Sequence, residues 1–215
     1  MKIYVCGDST AASYGPEKQP ITGWGQLLEN YTGGVPVVNG AMGGRSTKSF
    51  LSEGRLLKME ADMEAGDIVL IQFTHNDTSD LVWRHTDPWT SFLNNLSIFI
   101  DTAREYGAVP VLVTPICRRY FRDGEMLPSH GEYPDAIRVL AKQRGTELID
   151  MFAYSVETVK RLGDEKSKPL YMHFAAGLYP AYPDGQADDT HTQYAGADLY
   201  AKFAAEELRR KGLIS

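Results

Sequence analysis

Asp67-Ile68-Val69-Leu70-Ile71-Gln72-Phe73 is the stretch that decides the fold. Five of its seven residues are apolar, and they run on without the apolar–polar alternation of a half-buried strand. A strand of this kind is covered on both faces, which is the environment of a parallel sheet. Working outward, Lys2 to Cys6 is a short apolar run stopped by Gly7-Asp8, Val35 to Val38 is another stopped by Asn39-Gly40, and Val109 to Thr114 is a fourth stopped by Pro115. Glu147 to Asp150 reads as a short fifth strand. Between them lie helical patterns. Trp24, Leu27, Leu28 and Tyr31 fall on one face, with Gly33-Gly34 as the stop. Ser46 to Ala61 reads as helical with an interruption near Gly54. Phe92, Leu96, Phe99, Ile100 and Ala103 mark a long helix, and Ala136, Ile137, Leu140 and Ala141 another. A closing helix runs from about Ala195 to Lys211. Strands alternating with helices predict an α/β three-layer sandwich, a five-stranded parallel sheet with helices on both faces.

The chain has 215 residues, and no linker, repeat or low-complexity tract divides it, so one domain spanning 1–215 is expected. The apolar fraction of 43% and charged fraction of 23% are those of a globular protein and exclude a disordered chain. A net charge of −6 argues against nucleic acid as a partner. Cys6 and Cys117 each sit in an apolar run and read as buried reduced thiols. No secretory signal and no membrane-spanning run is visible, which makes a cytoplasmic location the expectation.

In open parallel sheets ligands bind beyond the carboxyl ends of the strands. The polar residues gather there. Gly7-Asp8-Ser9-Thr10 follows the first strand, Asn39 to Ser46 the second, Thr74-His75-Asn76-Asp77 the third and Arg118-Arg119 the fourth. Asp188-Asp189-Thr190-His191 lies just before the last helix. Gly40, Gly43 and Gly44 do not have the spacing of a dinucleotide loop. Acyl transfer by a serine needs a hydroxyl at the open end of the sheet, a histidine to take its proton, a carboxylate to hold that imidazole, and donors for the oxyanion. Ser9, His191, Asp188, the Gly44 amide and the Asn76 side chain supply this set. His75, His85, His130 and His173 do not have metal-ligand spacing, so neither a metal nor another cofactor is expected.

These blocks, in this order, resemble those of the SGNH (GDSL-type) hydrolases. GDST at 7–10, NGAMGGRSTKSFLSEGRL at 39–56, FTHND at 73–77, TPICRRYF at 114–121 and DDTHTQYAGA at 188–197 resemble more narrowly the rhamnogalacturonan acetylesterase branch. The resemblance implies the flavodoxin-like SGNH fold and a serine-dependent carbohydrate O-acetylesterase acting on pectin-derived saccharides through an acetyl-serine intermediate. Esterases of acetylated xylan or small acetyl esters, and a non-catalytic sugar-binding protein, are the alternatives. The resemblance assigns Ser9 as nucleophile, His191 as general base and then acid, and Asp188, by its D-x-x-H spacing, rather than Asp189 as the group that orients His191. The Ser9 and Gly44 amides and the Asn76 side chain would form the oxyanion hole. Gly44 would be glycine because the backbone must approach the substrate closely, and Asp8 would brace the turn.

Arg45, Arg118, Arg119 and Arg122 lie beyond strands two and four. Guanidinium suits a planar carboxylate, such as the galacturonate of an acetylated pectic oligosaccharide partner. Pairing with neighbouring acids is the competing expectation for these arginines. His75 would line the pocket or bond to nearby backbone, and Trp83 and Trp89 would stack on sugar rings or, the favoured expectation, pack under a loop. No exposed apolar lid stretch is evident. The family commonly carries glycine where this chain has Thr74, which predicts a modest change in loop backbone there.

Overall fold

The computed structural model describes residues 1–215. Five strands form the parallel sheet: β1 (Ile3–Gly7), β2 (Val37–Asn39), β3 (Ile68–Gln72), β4 (Val109–Val113) and, after two short strands described below, β7 (Glu147–Ile149). Their order is β2-β1-β3-β4-β7 and every pairing is parallel. This is the doubly wound flavodoxin-like order, in which the chain changes direction across the sheet between β1 and β3.

Side-chain alternation along the strands shows why both faces had to be covered. Ile3, Val5, Ile68, Leu70, Val111 and Val113 pack into one apolar core, with Trp24, Tyr200, Ala204 and Leu208. Tyr4, Cys6, Val69, Ile71 and Leu112 point the other way, into a second core with Phe50, Phe92, Phe99 and Ile137. Each buried Val, Ile or Leu contributes about 1.5–3 kcal/mol relative to exposure, so no strand of this sheet is stable with one face bare. The first face is covered by α1 (Trp24–Leu27), α6 (Met151–Ser167) and α7 (Tyr194–Arg210). The second is covered by α2 (Thr47–Ser52), α3 (Arg55–Glu60), α4 (Ser91–Glu105) and α5 (Tyr133–Arg144). Cys6 and Cys117 are buried free thiols. No helix is long and apolar enough to cross a membrane.

The interruption at Gly54 is real. It takes the left-handed conformation, φ 64°, between α2 and α3. The helix expected from Trp24 is α for one turn and then continues as a 3-10 turn, Leu28–Tyr31. Two hairpins and one α-helix were not foreseen. β5 (Phe121–Arg122) and β6 (Glu125–Met126) make a small hairpin, β8 (Tyr171–Phe174) and β9 (Gln186–Thr192) make a second, and α6 precedes β8. The buried positions of α6 include Ser155, Thr158 and Ser167, so the helix carries no continuous apolar stripe. In β9 the run Gln186 to Thr192 is acidic and polar, a composition depleted in strands. The segment Asp188 to His191, just before the last helix, is nonetheless strand with a bulge.

Candidate functional site

Ser9, Asn76 and Arg118 follow β1, β3 and β4, three neighbours in the sheet, and Gly44 follows β2 on the far side of β1. Ser9 and Asn76 thus flank the point where the strand order reverses, the place where open α/β sheets leave a crevice.

The turn that carries Ser9 is held from below. The wholly buried Asp8 carboxylate accepts from the Thr10 amide at 3.0 Å and the Thr10 hydroxyl at 2.8 Å. Gln72, at the end of β3, receives the Trp24 indole N–H at 3.0 Å and lies beside Asp8. Burial pushes the Asp8 carboxyl up, against the Thr10 hydrogen bonds and the charge of His191. Asp8 braces the turn, as expected. The Tyr14 hydroxyl donates to the Ser9 carbonyl at 2.8 Å.

His191 and Asp188 reach Ser9 from β9. In a regular strand, residues three apart face opposite ways. Here Tyr171 pairs with Thr192 and the next residue, Met172, pairs with Asp188, so Asp189, Thr190 and His191 bulge out of the ladder. Asp188 closes the bulge itself. Its Oδ1 accepts from the Thr190 amide at 2.7 Å and the His191 amide at 3.1 Å. Its Oδ2 is left for the ring of the same histidine, 2.7 Å from His191 Nδ1. His191 Nε2 lies 2.9 Å from Ser9 Oγ. Burial works against the Asp188 charge, but the hydrogen bond and charge of His191 and the two amides outweigh it and hold the carboxyl down at about 2. Asp189 is engaged elsewhere, 2.7 Å from His173 Nε2 and 3.0 Å from Arg119 Nε. Thr192 ties the strand to the loop before α1, donating to the Thr22 carbonyl at 2.6 Å.

The loops bearing Gly44 and Asn76 are stapled together. Asn76 Nδ2 donates to the Arg45 carbonyl at 3.0 Å, which leaves its second hydrogen free. Asp77 accepts from the Thr47 amide at 3.0 Å, the Thr47 hydroxyl at 2.6 Å and the Thr86 hydroxyl at 3.0 Å. Ser46 caps α2 through a reciprocal pair of bonds with Ser49. Neither the Ser9 nor the Gly44 amide N–H donates to a protein acceptor. Gly44 has φ 79° and a Cβ there would meet nothing within 4 Å, so the requirement for glycine seen here is torsional rather than one of crowding. Thr74 also has a positive φ, 148°, a region that favours glycine. The loop keeps a glycine-type backbone despite the substitution, and the threonine bears the strain, with its buried hydroxyl unpartnered.

The outer residues sort differently from the expectation. Arg45 pairs with Glu53 at 3.1 Å and donates to the Gly43 carbonyl at 2.9 Å. Arg119 is buried between Asp164 and Asp189. For these two the pairing with acids prevails. Arg122 is exposed on the β5–β6 hairpin. Arg118 has no carboxylate partner and donates to the His75 carbonyl at 3.2 Å and to the Tyr120 hydroxyl at 2.9 Å. The His75 ring is only 6% exposed and its Nδ1 lies 3.0 Å from His130 Nε2. Burial, then the positive charge of Arg118 and His191, hold it well below the usual histidine range. It lies under the loop, bonded to a second imidazole, rather than open to the crevice. Trp83 and Trp89 do not pack under a loop: they are 51% and 43% exposed, and Val82, beside Trp83, is 81% exposed. An exposed apolar stretch therefore does lie near the site. Sequence reasoning passed over Arg84, whose Nη1 donates to Asn76 Oδ1 at 3.1 Å.

A hydroxyl, an imidazole and a carboxylate joined in sequence at the carboxyl edge of a doubly wound sheet, beside two unengaged amides, define a serine-hydrolase type of site. The chain belongs to the GDSL-like lipase/acylhydrolase family, whose model matches residues 5–199. It is 41% identical to the rhamnogalacturonan acetylesterase RhgT of Bacillus subtilis (strain 168) over 215 residues, 99% of this chain and 91% of that protein. A probable rhamnogalacturonan acetylesterase of the same organism, YesY, is 35% identical over 98% of this chain and 94% of its own. The crystal structure of the B. subtilis protein YxiM superposes with a TM-score of 0.83 at 30% identity over 98% of this chain. This chain spans about half the length of that protein, 56%.

Proposed function

We propose that this protein is a carbohydrate O-acetylesterase that removes acetyl groups from rhamnogalacturonan-derived saccharides. The observation that carries the reading is the Asp188–His191–Ser9 relay with the unengaged Ser9 and Gly44 amides beside it. The 41% identity to RhgT supports the substrate class.

The Asp188 carboxylate accepts from His191 Nδ1–H, so the Nε2 lone pair faces Ser9 Oγ. As Oγ attacks the acetyl carbonyl carbon, its proton passes to His191 Nε2, and the imidazolium is held beside Asp188. The carbonyl oxygen takes the negative charge and is stabilised by the Ser9 and Gly44 N–H groups and the free hydrogen of Asn76 Nδ2. When the C–O bond to the sugar breaks, His191 returns the proton to the departing sugar oxygen, leaving acetyl-Ser9. Water then attacks that ester by the same route; His191 takes its proton and passes it to Ser9 Oγ as the acyl C–Oγ bond breaks, which frees Ser9 and releases acetic acid, ionised to acetate at neutral pH.

The test is acetate release from acetylated rhamnogalacturonan oligosaccharides and from acetylated xylo-oligosaccharides, with Ser9→Ala as the control. The proposal expects release from the first well above the second, and near-complete loss in the variant. Preference for the xylan-derived substrate would overturn the substrate class. Activity surviving Ser9→Ala would overturn the mechanism.

A further inference from the structure

Four arginines, Arg45, Arg84, Arg118 and Arg119, lie in the segments that follow β2, β3 and β4, and they differ in what neutralises them. Arg45 faces Glu53, and Arg119 faces Asp164 and Asp189. Arg84 and Arg118 have no carboxylate within 4.0 Å, in a chain whose net charge is −6. Both are half-buried, and both hold the loop that carries the oxyanion asparagine. Arg84 donates to Asn76 Oδ1 and Arg118 to the carbonyl of the preceding residue, His75. Each also lies over an exposed aromatic ring, Arg84 5.3 Å from the centroid of Trp83 and Arg118 5.8 Å from that of Tyr120. Of five guanidinium N–H donors, Arg84 spends one on a protein acceptor and Arg118 two, and the Nε–H of each is buried without a partner, so the donors to spare are on the terminal nitrogens. Arg118 and Tyr120 line a cleft of about 460 Å³ that continues to His85 and Tyr133.

A guanidinium left without its counter-ion, with forked donors to spare and an exposed ring alongside, fits a planar carboxylate on a ring with an apolar face. We infer that Arg84 with Trp83 and Arg118 with Tyr120 form a uronate-binding subsite, which seats the carboxylate of an acidic sugar of the acetylated oligosaccharide. The inference rests on the rhamnogalacturonan reading above. It assigns the carboxylate contact to Arg118 and Arg84 and removes Arg45 and Arg119 from that role. Because Arg84 also grips Asn76, an occupied subsite would tie the oxyanion donor to the seated sugar.

The experiment compares kcat/KM for acetate release from acetylated rhamnogalacturonan oligosaccharides with free carboxylates and from the same oligosaccharides with those carboxylates methyl-esterified. The enzymes are the wild type, Arg118→Gln and Arg84→Gln. The wild type is expected to favour the acidic form about tenfold, and to lose most of that preference between 0.05 and 0.5 M salt, because a partly exposed ion pair is screened. In Arg118→Gln the ratio of acidic to neutral substrate falls to about one; in Arg84→Gln it falls several-fold, whatever happens to turnover through Asn76. A merely structural role would lower both substrates equally and leave the ratio untouched, and that result would overturn the assignment. Equal wild-type rates on the two forms would overturn it without any variant, even if a variant failed to fold. Acetate released from neither form, with p-nitrophenyl acetate still hydrolysed, would instead defeat the rhamnogalacturonan reading, and the subsite with it.

Discussion

Replacing Asp188 by asparagine removes one charge and almost no volume, and the bulge in β9 makes its consequence specific. Oδ1 of Asp188 accepts from the amides of Thr190 and His191 at 2.7 and 3.1 Å. An asparagine can satisfy those two N–H groups only by placing its carbonyl oxygen there. Its NH2 is then fixed in the position of Oδ2, 2.7 Å from His191 Nδ1. Two hydrogens cannot share that contact, so Nδ1 becomes the acceptor and the ring proton moves to Nε2. Nε2–H then faces Ser9 Oγ across 2.9 Å and has no lone pair to take the serine proton. Holding the wrong tautomer in otherwise intact geometry costs on the order of 10⁴ in kcat, about 5.5 kcal/mol of transition-state stabilisation. The assay is turnover of p-nitrophenyl acetate at pH 8, with near-unchanged circular dichroism and urea midpoint as the structural control. A loss smaller than about 100-fold in a folded variant would refute the reasoning, since it would mean the Thr190 and His191 amides do not dictate the orientation of the side-chain amide.

Asp188 also predicts an acid limit. Its folded carboxyl titrates at about 2, below the ~3.9 of an unfolded aspartate. Its contribution to stability is therefore present above pH ~4 and lost as pH falls toward 2; urea midpoints in that window should fall less steeply in Asp188→Asn than in the wild type. Asp77 works with the opposite sign. Burial pushes its carboxyl up to about 7 against the Thr47 and Thr86 hydrogen bonds, so its proton favours the folded state and stability drains away as pH rises from ~4 through 7. Asp77→Asn is expected to flatten that part of the profile, checked by urea unfolding at pH 5 and pH 8. Thr74→Gly relieves the positive φ, worth about 1–3 kcal/mol, and the unpartnered hydroxyl, at about 1 kcal/mol from unfolded-chain entropy and about 1 from the lost methyl; a gain of about 1 kcal/mol in urea unfolding is expected, and a loss would show that the loop is not strained. Asn76→Ala removes one oxyanion donor and is expected to lower kcat about 10²–10³-fold with KM little changed.

Much of this architecture was legible along the chain because its causes are local. Ile68 to Ile71 is apolar on both sides, so it had to lie in a covered sheet, and the alternation of strand and helix then left little choice but a doubly wound fold. The same locality placed Ser9, Gly44 and Asn76 at strand ends, since a loop that follows a buried strand opens where the sheet does. What the tertiary structure alone decided are the pairings between distant residues. Arg118 and Arg119 are adjacent, yet one meets Asp164 and Asp189 and the other meets only the His75 carbonyl and a tyrosine. Nothing in their order distinguishes them, because a guanidinium's charge is neutralised by whatever the fold brings within a few ångströms. The choice between Asp188 and Asp189 has the same character. The D-x-x-H spacing named the carboxylate that stands 2.7 Å from His191 Nδ1, but a regular strand would have turned it away from His191, and the bulge and its turn bring it back. The exposure of Trp83 and the burial of His75 against His130 follow from how the loops after β3 and β4 lie over one another. That arrangement is a balance of contacts across 40 or more residues of sequence, which no local pattern encodes.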